Sequence, residues 1–192
     1  MPSGWGQQIA GRLIVGYNAV ARPVIAATFP GMTDHGASTY PDTRADVDAI
    51  CRLKHRYVRL LDTKQWDEFA DCFAPDATAD YGGLSFDSPA AAVAYMRENL
   101  GDGMITMHHV HGPEIDVDGD TASGRWYLHD KVIAEPFRFA LEGAAVYEDR
   151  YVRTGDGWRI AHTGYQRTYE MTWNLDDVPS LKVSGPGAHT HA

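Results

Sequence analysis

Cysteine is scarce in this 192-residue chain: Cys51 and Cys72 stand alone, with no CxxC pair and no cysteine–histidine set at zinc-ligand spacing. A disulfide framework or a structural zinc site needs more than that, so both thiols are expected to be buried and reduced, in a cytoplasmic setting. Basic runs are missing too. Lys and Arg number 17 against 26 Asp and Glu, a net charge of −9, and no basic run exceeds two residues. Such a surface offers little for a nucleic-acid backbone to neutralise, so no nucleic-acid partner is expected. Long apolar runs are also lacking. The most apolar N-terminal stretch, residues 9–29, is broken by Arg12, Gly16, Asn18, Arg22 and Pro23. It cannot supply the ~20 continuous apolar residues of a membrane span. Without a basic start and an unbroken apolar centre it also makes a poor secretion signal, so no membrane partner is expected. Met32 opens a polar run and offers an internal start, which would make residues 1–31 a dispensable extension.

What remains is 44% hydrophobic, enough for one core of ordinary size. Residues 1–43 read as extension and linker, helical in part, 44–175 as the folded domain, and 176–192 as a flexible tail. Val47, Ile50, Cys51, Lys54, Tyr57, Val58 and Leu61 recur at helical spacing and predict a first helix ending near Asp62. Trp66, Phe69, Ala70 and Phe73 mark a short second helix stopped by Ala74-Pro75, followed by a strand over 77–81. Ser88 as cap and Pro89 at the first helical position open a third helix, closed by Gly101. Beyond Gly103 the pattern is strand-like over 104–117, 121–133, 137–154 and 158–172, with Asp118-Gly119 and Asp156-Gly157 as hairpin turns. Helices followed by a meander indicate an α+β fold, the helices on one face of a curved, mostly antiparallel sheet.

Asp62 ends a helix whose carbonyls disfavour a negative charge. Two readings account for it. Asp62-Thr63-Lys64-Gln65 has the spacing of a capping box for the next helix, or Asp62 is the carboxylate that orients a histidine. The run Met107-His108-His109-Val110-His111, laid on a strand, sends His108 to one face and His109 and His111 to the other. Gly103, His109, His111 and Glu114 approximate a cupin metal motif, but the spacing to Glu114 is short and no second motif follows, so no metal site is assigned. Tyr57 and Tyr81 are candidate hydrogen-bond donors to a substrate oxygen. His129-Asp130 sits well inside a strand among Trp126, Leu128, Val132 and Ile133, so one of the two is expected to line a cavity. Arg167, between Tyr165 and Tyr169, is either a carboxylate or enolate binder or half of a rim ion pair.

The run Ile50-x-x-Leu53-x-x-x-Tyr57-x-x-x-x-Asp62-x-x-x-Trp66-Asp67, then Phe73-x-x-Asp76-Ala77-x-x-Asp80-Tyr81, then His108, resembles the SnoaL-like superfamily of nuclear-transport-factor-2-like folds. Tyr147-x-Asp149-x-Tyr151-x-x-Thr154-x-Asp156-Gly157-Trp158 adds to the resemblance. Its dehydratase-type branch is the most similar part, with scytalone dehydratase, bile-acid 7α-dehydratase and the hexachlorocyclohexane dehydrochlorinase, cofactor-free lyases that form trimers. The resemblance implies a cone-shaped barrel and a catalytic Asp62–His108 pair. It also implies catalytic roles for Tyr57 and Asp130, with His129 replacing Asp130 after a one-residue shift, and substrate contacts from Tyr81 and Arg167. Leu61 stands where a tyrosine precedes the aspartate in scytalone dehydratase, and Ala145 and Tyr147 replace small polar residues, so scytalone itself is not the expected substrate.

The expected activity is therefore cofactor-free elimination of water from a hydrophobic, ring-bearing molecule such as a steroid, terpenoid or polyketide. Tyr147 and Trp126 are among the aromatic residues expected to contact it. An isomerase or cyclase using the same pair, and a non-catalytic ligand-binding module, are the alternatives. A homo-oligomer is expected, trimeric by resemblance or else dimeric.

Overall fold

The computed structural model describes residues 43–184. Most of the expected N-terminal extension and the last part of the expected tail, residues 1–42 and 185–192, lie outside the described residues. Among those described, no helix is long and apolar enough to cross a membrane.

Helix α1 (Arg44–Asp62) forms where the periodic stripe is, and Ile50, Leu53, Lys54, Tyr57, Val58 and Leu61 all turn inward. Arg59 in its last turn complements the carbonyl end. Helix α2 (Trp66–Ala70) is a single short turn that ends before the Ala74-Pro75 stop expected for it. Strand β1 (Phe73–Tyr81) begins earlier than expected and runs through Pro75. It does so because the ladder to its neighbour is irregular between Phe73 and Thr78, where a missing N–H costs no ladder bond. Strand β2 (Leu84–Phe86), not anticipated, folds back through Gly82 and Gly83, both at positive φ.

Helix α3 (Pro89–Asn99) starts as expected, Ser88 Oγ accepting from the Ala91 N–H at 3.2 Å with Pro89 in the first turn. Ser88→Ala is expected to cost about 1 kcal/mol in urea unfolding, the usual value of a lost N-cap. Strands β3 (Met104–Asp118), β4 (Thr121–Ala134), β5 (Phe139–Thr154) and β6 (Gly157–Asn174) then form the meander. Its first and last two-residue turns centre on Gly119-Asp120 and Gly155-Asp156, one residue later or earlier than the Asp-Gly pairs themselves. A one-turn helix, Leu175–Asp177, follows β6 where the tail was expected to start, tied back by Leu175 N–H to Arg138 O at 2.8 Å and by the Arg138–Asp176 ion pair.

The strands make one curved sheet in the order β2-β1-β6-β5-β4-β3. Every neighbouring pair is antiparallel except β1 with β6. The fold is the expected α+β cone, helices packed on a mostly antiparallel sheet. Helix α1 lies against β3 and β6, which brings its C-terminal Asp62 to the N-terminal half of β3. The core between α1 and the sheet is dominated by Ile50, Tyr57, Phe69, Trp126, Tyr147 and Ile160.

Candidate active site

Asp62 does not cap the next helix. The residue before α2 is Gln65, and no side chain caps that helix. Instead the carboxylate of Asp62 reaches β3 and takes three hydrogen bonds. His108 Nδ1–H donates to Oδ1 at 2.6 Å, the Thr106 hydroxyl to the same oxygen at 2.9 Å, and the backbone N–H of His108 to Oδ2 at 2.8 Å. Burial pushes the Asp62 carboxyl up, but the histidine ring, its backbone N–H and Thr106 outweigh it and hold the group below the usual carboxylate range. A carboxylate only accepts, so Nδ1 carries a proton, and in the neutral ring Nε2 is the basic lone pair. Among the described residues nothing hydrogen-bonds to that nitrogen. The arrangement fixes the orientation of the ring and leaves Nε2 as its unengaged nitrogen.

Strand pairing supplies the next group. His108 stands opposite Asp130 in the β3–β4 ladder, and cross-strand neighbours on one face lie roughly 5 Å apart at Cβ. Asp130 is buried with Trp126, Leu128 and Val132 along the inward face of β4. Both its oxygens accept from Arg167, Nη1 to Oδ1 and Nη2 to Oδ2, and Arg167 Nε also faces Glu170 at 3.3 Å. Gly143 makes the clamp possible, since a Cβ there would lie 2.8 Å from Arg167 Nη1. Burial would pull the guanidinium down, but Asp130 more than offsets it and raises the group. Arg167 is thus an inward ion-paired residue, not a rim one.

His129 belongs to the other face. Alternation along β4 turns it outward, where Nε2 lies 3.2 Å from Glu142 Oε1, so the open choice between His129 and Asp130 resolves to Asp130 as the inward residue. His109 and His111 also face outward and are exposed, and the His111 ring stacks on Tyr127 at 5.6 Å. A register shift separates them from Glu114, and among the described residues no three His, Cys, Asp or Glu side chains gather around a possible metal position.

Tyrosines form the third group. The hydroxyls of Tyr57 and Tyr81 are 2.8 Å apart, and Tyr147 sets its ring edge-on to both Tyr57 and Tyr165. Burial lifts the phenols of Tyr57, Tyr81 and Tyr147 above their ordinary range, so they remain protonated donors. Trp126, opposite Tyr147 in the β4–β5 ladder, belongs to a buried network: its Nε1–H donates to Tyr151 OH at 3.0 Å, and Tyr151 donates to Asp149 Oδ2 at 2.7 Å.

Lys54 anchors that network and was not recognised from the sequence as a functional or paired group. Its ammonium is fully buried, 2.7 Å from Asp149 Oδ2 and 3.3 Å from Thr163 Oγ1, and sits 3.4 Å from the centroid of Tyr147. Burial lowers its proton affinity, while Asp149 opposes that. The available signals were a lysine on the inward stripe of α1 and an aspartate between the inward Tyr147 and Tyr151. Thr106 could have been found from its place two residues before His108 on the same face. A separate groove of about 360 Å³, lined by Arg52, Arg56, Trp158 and Arg159 among others, contains none of the expected site residues.

The model of the SnoaL-like domain matches residues 42–164. The chain belongs to the SnoaL-like family. The uncharacterized protein Rv2910c of Mycobacterium tuberculosis is 33% identical over 115 residues, spanning 58% of this chain and 78% of that protein. Hexachlorocyclohexane dehydrochlorinase LinA-type3 from Novosphingobium barchaimii superposes with a TM-score of 0.63 at 17% identity, covering 74% of this SnoaL-like chain and 96% of that one. The Kfla4162 protein of Kribbella flavida gives a TM-score of 0.63 at 20% identity over 68% and 95% of the two chains. At those identities the likeness is one of fold.

Proposed function

We propose that this SnoaL-like protein is a cofactor-free lyase that removes water from a hydrophobic, ring-bearing small molecule such as a steroid, terpenoid or polyketide. The observation that carries the reading is the Asp62–His108 pair, with Nδ1 committed to the carboxylate and Nε2 without a partner among the described residues. His108 Nε2 takes a proton from a carbon beside a carbonyl, and the C–H electrons form the new double bond as the C–O bond breaks. The proton on Nε2 then passes to the departing oxygen, so water leaves and the imidazole is restored. Arg167 and whichever of Tyr57 and Tyr81 does not donate to the other are the donors for substrate oxygens, and Asp130 works through Arg167 rather than as an acid. The fold shared with a dehydrochlorinase, itself an eliminating enzyme by name, supports this reaction class.

Assembly into a homo-oligomer, a trimer before a dimer, is part of the proposal, with exposed Tyr127, Tyr169 and Met171 as apolar surface for it. So is a cytoplasmic location, in keeping with the two free thiols.

Incubation with a panel of cyclic β-hydroxy ketones, followed by mass spectrometry, tests the reading. The parent is expected to yield products lighter by one water, and His108→Ala to lower the rate ~10²–10⁴-fold, the usual contribution of a general base. Product of unchanged mass replaces the lyase by an isomerase or cyclase. Full activity in the His108 variant ends the acid/base reading altogether.

A further inference from the structure

Lys64 lies two residues beyond Asp62, in the link between α1 and α2, and adopts a left-handed backbone at φ +59. That conformation suits glycine or asparagine and disfavours a long side chain, so an unrelieved Lys there calls for a compensating role. Its side chain supplies one. Lys64 Nζ donates to Thr106 Oγ1 at 2.7 Å, and Thr106 donates to Asp62 Oδ1 at 2.9 Å, the oxygen that also holds the His108 ring.

We propose that Lys64 is a positioning residue of the Asp62–His108 pair, fixing the direction in which the Thr106 hydroxyl donates. The inference rests on the general-base reading of His108 for its functional meaning. An ammonium has three donors and no acceptor, and a hydroxyl has one proton. With Lys64 charged, Thr106 must accept from it and can spend its only proton on Asp62. A neutral amine can accept, and Thr106 is then free to turn its proton toward Lys64, leaving Asp62 with one donor fewer. Asp62 then binds the His108 Nδ1–H more strongly and stabilises the charged imidazole.

The groups facing Lys64 are the Asp62 carboxylate at the end of α1, Thr106 on β3 and the Trp66 ring of α2 at 5.9 Å, with His108 joined to them through Asp62. Burial lowers the lysine to about 8, with Asp62 pulling the other way, so the relay reverses within an accessible pH range.

The test is a ring-¹⁵N NMR titration of His108 between pH 6 and 10, assigned by comparison with His108→Gln. In the parent, the His108 signals should show a second inflection near pH 8. Lys64→Gly and Thr106→Val should remove it and move the His108 midpoint up by roughly half a unit or more. Lys64→Arg, a donor that stays charged throughout, should remove the inflection and keep the midpoint. Lys64→Gly should unfold at the same temperature as the parent or higher, because glycine fits the left-handed backbone, which separates lost coupling from lost structure. An inflection that survives in Lys64→Gly, or an unchanged midpoint there and in Thr106→Val, overturns the proposal. An active His108→Ala enzyme, with the inflection present in the parent and lost in Lys64→Gly, would instead remove the general-base reading and leave the Lys64 relay standing.

Discussion

Lys54→Met is expected to destabilise the fold by about 3–5 kcal/mol, the usual cost of breaking a buried ion pair from one side. Methionine replaces most of the aliphatic stem, so the loss is electrostatic rather than a matter of volume. Asp149 would keep the Tyr151 donor and a place in the middle of the sheet, but lose the ammonium 2.7 Å away. Its other oxygen, Oδ1, already has no hydrogen-bond partner among the described residues, so nothing nearby can take over. The double variant Lys54→Met/Asp149→Leu removes both charges and is expected to recover most of that loss, as apolar replacements of buried pairs commonly do. Urea unfolding of the parent, the single variant and the double variant checks both statements. A single variant as stable as the parent would mean that Asp149 is not carrying a charge that needs Lys54.

Asp62→Asn should cut turnover ~10²–10⁴-fold while leaving the fold intact. The reason lies in the three donors around the carboxylate, two on Oδ1 and one on Oδ2. An amide has one oxygen and one NH₂ group, so one side must now meet a donor with a donor. Keeping the oxygen toward the backbone N–H of His108 turns the NH₂ toward Nδ1. The ring then answers with the tautomer protonated at Nε2, and the basic lone pair is lost from the nitrogen that needs it. Steady-state rates, compared with circular dichroism of the same preparation, separate this from unfolding. Unchanged turnover would mean that the tautomer is not set by Asp62.

The same residues show why part of the site was legible and part was not. Local periodicity gave α1 and the long strands, and alternation along β3 correctly split His108 from His109 and His111. Alternation along β4 also groups Trp126, Leu128 and Asp130, but which of Asp130 and His129 shares a face with His108 depends on register between strands. Lys54 was counted in an apolar stripe because periodicity records position and not pairing. Its partner Asp149 is far along the chain, and only the folded sheet brings them together. β2 was missed because three residues are too few for a period to emerge. The Thr106 and Lys64 contacts to Asp62 likewise join a helix end to a distant strand.

The parallel pairing of β1 with β6 sets an order on the making of this protein. Asp62, Thr106 and His108 all come from the first half of the domain and meet through α1 and β3. Tyr81 has its neighbour Tyr165 on the last strand, and the β1 ladder to β6 joins Phe73 to Ile160 and Tyr81 to Tyr165. Synthesis runs from the N-terminus, so β1 must wait for nearly all of the domain to emerge before its place in the sheet exists. The sequence separation also makes this a slow contact to close. The Asp62–His108 pair is thus encoded early in translation, and the tyrosine wall that faces Tyr57 is finished last.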